Sequence, residues 1–143
     1  MKQAYLYKKL DNNLVQCQTC NHRCIIQSGK RGICGIRENQ AGELFLTTYA
    51  RACAENIDPV EKKPLFHFLP HSKTLTVATV GCNFKCQWCQ NYDISQGPKD
   101  PQIRYEAGES DFLLPPAKII SDAQKAHCPS ISYSYTEPTV YLE

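Results

Sequence analysis

Leu75-Thr76-Val77-Ala78-Thr79-Val80-Gly81-Cys82-Asn83-Phe84-Lys85-Cys86-Gln87-Trp88-Cys89 is the stretch on which the reading of this chain turns. Its first six residues are apolar and β-branched, the composition of a buried strand, and Gly81 stops the run. Three cysteines follow at once, spaced Cys82-x3-Cys86-x2-Cys89, so three thiols leave one loop at the end of a strand. Toward the C terminus, Gln96 to Pro116 contains Gly97, Pro98, Pro101, Gly108 and a closing proline pair, which predicts a long loop. Ala117 to His127 sets Ile119, Ile120, Ala123 and Ala126 at helical spacing behind Pro116, a residue suited to a first helical turn. Ile131 to Tyr135 alternates in polarity and ends at Thr136-Glu137-Pro138. Strand, loop, helix and strand predict one β–α–β unit, hence an α/β fold with parallel pairing.

Toward the N terminus, residues 14–51 read as a Cys-rich module. Cys17-Gln18-Thr19-Cys20 and Gly29-Lys30-Arg31-Gly32 are turn-like, and Asn39-Gln40-Ala41-Gly42 predicts the turn of a β-hairpin. Leu44 to Ala50 alternates as a half-buried strand does. Prolines 59, 64 and 70 forbid long regular elements between Asp58 and Pro70, which reads as an ordered connection. Two parts result: a Cys-rich module with its linker over 1–72, and an α/β part over 73–143.

Composition sets the outer bounds. The chain has 143 residues, one domain's worth, and its 42% apolar and 21% charged residues suit a folded protein rather than a disordered one. A net charge of +2 is too small to point to nucleic acid or an acidic membrane as partner. Residues 1–9 lack the apolar core of a secretory signal, and no run approaches the ~20 apolar residues of a membrane span. The expected compartment is the cytoplasm. There thiols stay reduced, so nine cysteines, seven of them in two tight groups, point to metal or catalysis rather than disulfides.

The three-Cys group has a specific chemistry. Iron–sulfur clusters are held by Cys thiolates, usually four per cubane, and three leave one iron open to a small ligand. The amine and carboxylate of S-adenosylmethionine (SAM) can bind such an iron, and the protein's task is then to position and shield the reaction. Trp88 offers a flat apolar surface for the cluster or for adenine. The competing reading is a zinc knuckle that borrows Cys128 or His71 as fourth ligand, although x3-then-x2 spacing with an aromatic before the last Cys is uncommon in zinc sites. Cys17, Cys20, Cys24 and Cys34 form the second group. Four thiolates there suit structural zinc, an auxiliary 4Fe–4S cluster, or no ligand, and a metal requires the sulfurs within about 4 Å of one another. His22 reads as an exposed loop histidine that could replace one of these ligands, His67 and His71 as packing or surface residues, and Lys62-Lys63 as a solvated face. Cys53 and Cys128 read as small buried hydrophobes.

Gly81-Cys82-Asn83-Phe84-Lys85-Cys86-Gln87-Trp88-Cys89-Gln90-Asn91 resembles the motif of radical SAM proteins related to pyruvate formate-lyase activating enzyme. Asp58-Pro59-Val60-Glu61-Lys62-Lys63-Pro64-Leu65-Phe66-His67-Phe68, Ile94-Ser95-Gln96 and Tyr133-Ser134-Tyr135-Thr136-Glu137-Pro138-Thr139 resemble segments of the AmmeMemoRadiSam-system radical SAM enzymes. The resemblance implies the start of a partial (βα)6 barrel behind a Cys-rich N-terminal module, with Cys82, Cys86 and Cys89 as ligands of a 4Fe–4S cluster. It also implies that Glu137 meets the SAM amine, although Tyr135 and Thr136 stand where relatives often carry two glycines. A flavodoxin or ferredoxin as reductant, and Ammecr-type and Memo-type proteins as partners, follow from it too. Because the chain stops after the second strand of such a barrel, it reads as an N-terminal fragment. The expected function is reductive cleavage of SAM to a 5′-deoxyadenosyl radical that abstracts hydrogen from a substrate the sequence does not name. No catalytic residue is expected beyond the cluster ligands. A two-zinc interaction module and an inactive remnant are the alternatives.

Overall fold

A computed structural model describes residues 1–99 and 112–143. Most of the loop expected over 96–116, including Pro101 and Gly108, lies outside them. In chain order the elements are β1 (Lys2–Gln3), β2 (Tyr7–Lys9), β3 (Val15–Cys17), β4 (Ile25–Ile26), β5 (Arg37–Gln40), β6 (Glu43–Leu46), β7 (Arg51–Ala52), β8 (Ala54–Pro59), β9 (Lys73–Ala78), α1 (Tyr92–Gln96), β10 (Phe112–Leu113), α2 (Pro116–Lys125) and β11 (Ser130–Tyr133). The fold is mixed α/β. Among the described residues it contains one β–α–β unit and no barrel beyond it.

That unit is β9–α2–β11. The two strands pair in parallel, with Ser130 opposite Thr74 and Tyr133 opposite Val77, so their carboxyl ends share one edge. Helix α2 opens on Pro116 and closes in a Schellman motif: His127 N–H reaches Gln124 O at 3.1 Å and Cys128 N–H reaches Ala123 O at 2.9 Å. Its Ile119 and Ala123 pack on Leu75, Val77, Ala52 and Leu114. Each large aliphatic side chain buried there stabilises the docking by about 1.5–3 kcal/mol. Leu75 and Val77 thus face the helix, while Thr74 and Thr76 alternate with them and turn, fully buried, to the other face.

The segment expected as a connection, Asp58 to Pro70, begins with the last two residues of a strand that starts at Ala54. β8 runs antiparallel to β9 over six residue pairs, from Ala54 opposite Ala78 to Pro59 opposite Lys73, giving the sheet the order β11-β9-β8. The prolines begin to act only afterwards, where Val60–Lys62 form a 3-10 turn. The expected division after residue 72 therefore falls between two strands that pair edge to edge.

The N-terminal part has two small sheets, β1-β6-β5 and β2-β3-β4. The expected hairpin is β5–β6, whose turn residues Ala41 and Gly42 have φ of 53° and 93°, the left-handed pair that a two-residue type I′ connection needs. Asn39 secures it: its side chain, fully buried, accepts from Gly42 N–H at 2.8 Å and donates to Asn13 O and Ile26 O at 2.7 Å each. The strand expected from Leu44 to Ala50 ends at Leu46, because the chain turns through 47–50. Ala4, Val15, Cys17, Ile26 and Leu44 form this part's own core. A second core of Cys34, Ile36, Leu46, Val80 and Val140 joins it to the β–α–β unit. No helix among the described residues is long and apolar enough to cross a membrane.

Candidate functional site

The cysteine loop is launched by Gly81. Its φ of +87° is open to glycine and costly to other residues, and a Cβ there would lie 2.5 Å from Ile36 Cγ2 and 2.7 Å from Cys34 O. Only a glycine lets the end of β9 pass this close to the first cysteine group. The loop is pinned from α1: Gly81 N–H donates to Ile94 O at 2.8 Å, and Gln96 Nε2 to Phe84 O at 3.0 Å.

All nine cysteines are free thiols. Cys82 is buried and its Sγ accepts from Phe84 N–H at 3.5 Å, while Cys89 Sγ and Ser95 Oγ share a hydrogen bond of 3.3 Å. Cys86 is exposed, and Trp88 is 89% exposed. Phe84 and Tyr92, half exposed, complete an apolar fringe around the loop. Lys99 approaches both Cys82 and Cys34, and burial pushes its ammonium below the usual lysine range. Burial likewise raises the Cys34 thiol.

The first cysteine group is drawn together in part. Cys17 N–H on β3 donates to Cys24 O at 2.9 Å, and the two side chains share one core. A Cβ on Gly32 would lie 3.7 Å from Cys24 Sγ, so the chain leading to Cys34 passes beside it. Cys34 itself belongs to the joining core, and Cys20 is half-buried. The two cysteine groups adjoin: His22, exposed as expected, donates from Nε2 to Asn83 O at 2.9 Å. Among the described residues, no group of three or more His, Cys, Asp or Glu side chains is disposed to hold a metal ion. The three loop thiols have the donor chemistry of cluster ligands but do not stand as an assembled triad, Cys86 being exposed.

Glu137 follows β11 at the same edge. Its half-buried carboxylate accepts from Thr139 N–H at 3.2 Å and from the Thr139 hydroxyl, capping the 3-10 turn Pro138–Tyr141. Two bonds tie its segment to the stem of the cysteine loop: Thr136 Oγ1 donates to Thr79 O at 2.8 Å, and Asn91 Nδ2 donates to Tyr135 O at 3.2 Å.

Beneath this edge lies a network that the sequence reading missed. Asp58 Oδ2 accepts from Lys63 Nζ (2.8 Å), Thr76 Oγ1 (2.8 Å) and Tyr135 OH (2.9 Å), and Oδ1 accepts from Lys62 Nζ at 2.7 Å. Burial alone would raise this carboxyl, but the four donors outweigh it and hold it well below the usual carboxylate range. Lys63 is not a solvated residue, since its side chain is only 10% exposed; Lys62 remains half in solvent. The signal available in the sequence was Asp58-Pro59-Val60-Glu61-Lys62-Lys63, an acid four and five residues before two lysines. Cys128 and Cys53 are half-buried and pack against the core under α2 and the joining core respectively, and His67 and His71 are exposed.

The chain is 48% identical to uncharacterized protein MJ0808 of Methanocaldococcus jannaschii over 143 residues, all of this chain and 41% of that protein. It is 33% identical to uncharacterized protein MJ0674 of the same organism over 86 residues, 59% of this chain and 20% of that protein. The chain therefore spans about two fifths of the length of the first relative and a fifth of the second. No protein-family model matches it, and no solved structure does.

Proposed function

We propose that this chain is the cluster-binding N-terminal part of a radical SAM enzyme of the AmmeMemoRadiSam-system group, related to pyruvate formate-lyase activating enzyme. Cys82, Cys86 and Cys89 would hold a 4Fe–4S cluster whose fourth iron is left to SAM. When bound, that cluster supplies the electron that splits the SAM sulfonium into methionine and a 5′-deoxyadenosyl radical, which takes hydrogen from the substrate. The observation that carries the reading is the parallel pairing of β9 and β11, which sets the three-thiol loop and Glu137 at one sheet edge, where α/β sheets take their ligands.

The chain's own groups have defined tasks in this reading. Phe84 N–H offers a hydrogen bond to the Cys82 sulfur, a contact of the kind that tunes cluster potential. Trp88, free of packing, would cover the cluster or adenine. Glu137 would accept from the SAM ammonium after giving up Thr139. Cys17, Cys20, Cys24 and Cys34 would hold zinc or an auxiliary cluster that braces the N-terminal part. A flavodoxin or ferredoxin would deliver the electron, Ammecr-type and Memo-type proteins are the proposed partners, and the cytoplasm keeps the thiols reduced.

The test is chemical. Anaerobically reconstituted chain, given SAM and dithionite, should release 5′-deoxyadenosine, and Cys86→Ala should release none. Equal release from the variant, or none from a wild-type chain that carries the cluster, contradicts the reading. A chain that binds only zinc supports the two-zinc module instead.

A further inference from the structure

Tyr135 has a φ of +69°, a left-handed backbone that a large aromatic residue adopts at a cost. Such a conformation persists where surrounding contacts over-determine it. Those contacts come from three directions here. The hydroxyl donates to Asp58 Oδ2 at 2.9 Å, the Lys63 ammonium stands 4.6 Å from the ring centroid, and the carbonyl accepts from Asn91 at 3.2 Å. Asn91 closes the cysteine loop two residues after Cys89, and the next residue, Thr136, bonds Thr79 at the loop's other end. A buried carboxylate and a nearly buried ammonium are thus committed to one strained residue, placed directly before Glu137.

We propose that Asp58, Lys63 and Tyr135 form a positioning clamp that holds the Tyr135–Glu137 edge at the distance from the cysteine loop at which the loop's ligand is bound. These are positioning residues, because none of them touches the thiols. The Tyr135 hydroxyl and ring fix the backbone turn, Asp58 fixes the hydroxyl, and Lys63 balances Asp58 while covering the ring. The proposal rests on the cluster-and-SAM reading for the identity of the ligand, but not for the existence of the clamp.

The decisive variant is Tyr135→Phe, which keeps the ring beneath Lys63 and removes only the hydroxyl; Asp58→Asn tests the same bond from its other side. In the metal-free chain, amide hydrogen exchange at 134–137 and 139 should rise about tenfold in either variant, the loss expected for one hydrogen bond to a charged acceptor, with exchange in β9 unchanged in Tyr135→Phe. In the reconstituted chain, SAM affinity should weaken by about tenfold. It would be read from the change SAM causes in the electron paramagnetic resonance of the reduced cluster. In Tyr135→Phe, iron content and thermal midpoint should stay at the level of an unrelated surface variant. Unchanged exchange overturns the clamp. Changed exchange with unchanged SAM affinity, or weaker affinity only in step with lost iron, overturns its positioning role. A wild-type chain that takes up no iron overturns the cluster reading and the ligand half of this proposal, while the exchange measurement still decides the clamp.

Discussion

At Gly81 the backbone turns with a φ of +87° into a gap bounded by Ile36 and the Cys34 carbonyl. A methyl group there meets both a conformational cost and two contacts under 3 Å, neither at the end of a flexible chain. Gly81→Ala should therefore destabilise the fold by about 3 kcal/mol in chemical denaturation; a change within ~0.5 kcal/mol would contradict the close approach. The three thiols and their launching glycine were legible in sequence because spacing and a strand stop are local facts. Tyr135 was legible only as a departure from glycine: its left-handed turn depends on Asp58 and Lys63, more than seventy residues earlier, which no local pattern couples to it.

Elements show the same division between local and distant causes. The parallel partners β9 and β11, helix α2 and the β5–β6 hairpin follow from period, proline placement and turn residues, and all four stand within a few residues of the expected bounds. Only the end of β8, Asp58 and Pro59, falls in the proline-dominated segment read as a connection; those two residues continue a strand that gains its character from β9 alongside. That pairing puts Asp58 on the polar face of β9 next to Thr76, and its acidity follows. Because the folded carboxyl is depressed, its stabilisation is fully present above the ordinary carboxylate pKa of about 3.9 and is lost as pH falls through and below it. Asp58→Asn should cost on the order of 2 kcal/mol near neutrality and flatten the fall of stability below about pH 4. An unaltered acid limb, followed by circular dichroism, would contradict the network.

Across the whole molecule, one buried ion pair ties the first part of the chain to the last. Arg37 on β5 meets Glu143 with both guanidinium ends, at 2.9 and 2.6 Å, and donates from Nε to Val140 O at 3.0 Å. Both side chains are essentially inaccessible, at 1% and 0%. Glu143→Ala leaves the guanidinium buried without its carboxylate and should cost about 3–5 kcal/mol, whereas Arg37→Met with Glu143→Leu should recover much of that. Urea midpoints of the two variants check it, and equal losses would contradict the account. No sequence pattern linked these two residues, since they lie 106 positions apart. The joining core brings Cys34 beside the start of the Cys82–Cys89 loop and His22 bonds Asn83 within it, so the site depends on the assembly of both parts. Its central claim is tested most directly by iron: the chain, reconstituted anaerobically with iron and sulfide, is compared with Cys82→Ala/Cys86→Ala/Cys89→Ala. The triple variant should lose about four irons per chain together with the visible absorption of that cluster. Equal iron and an unchanged spectrum in the variant would contradict it.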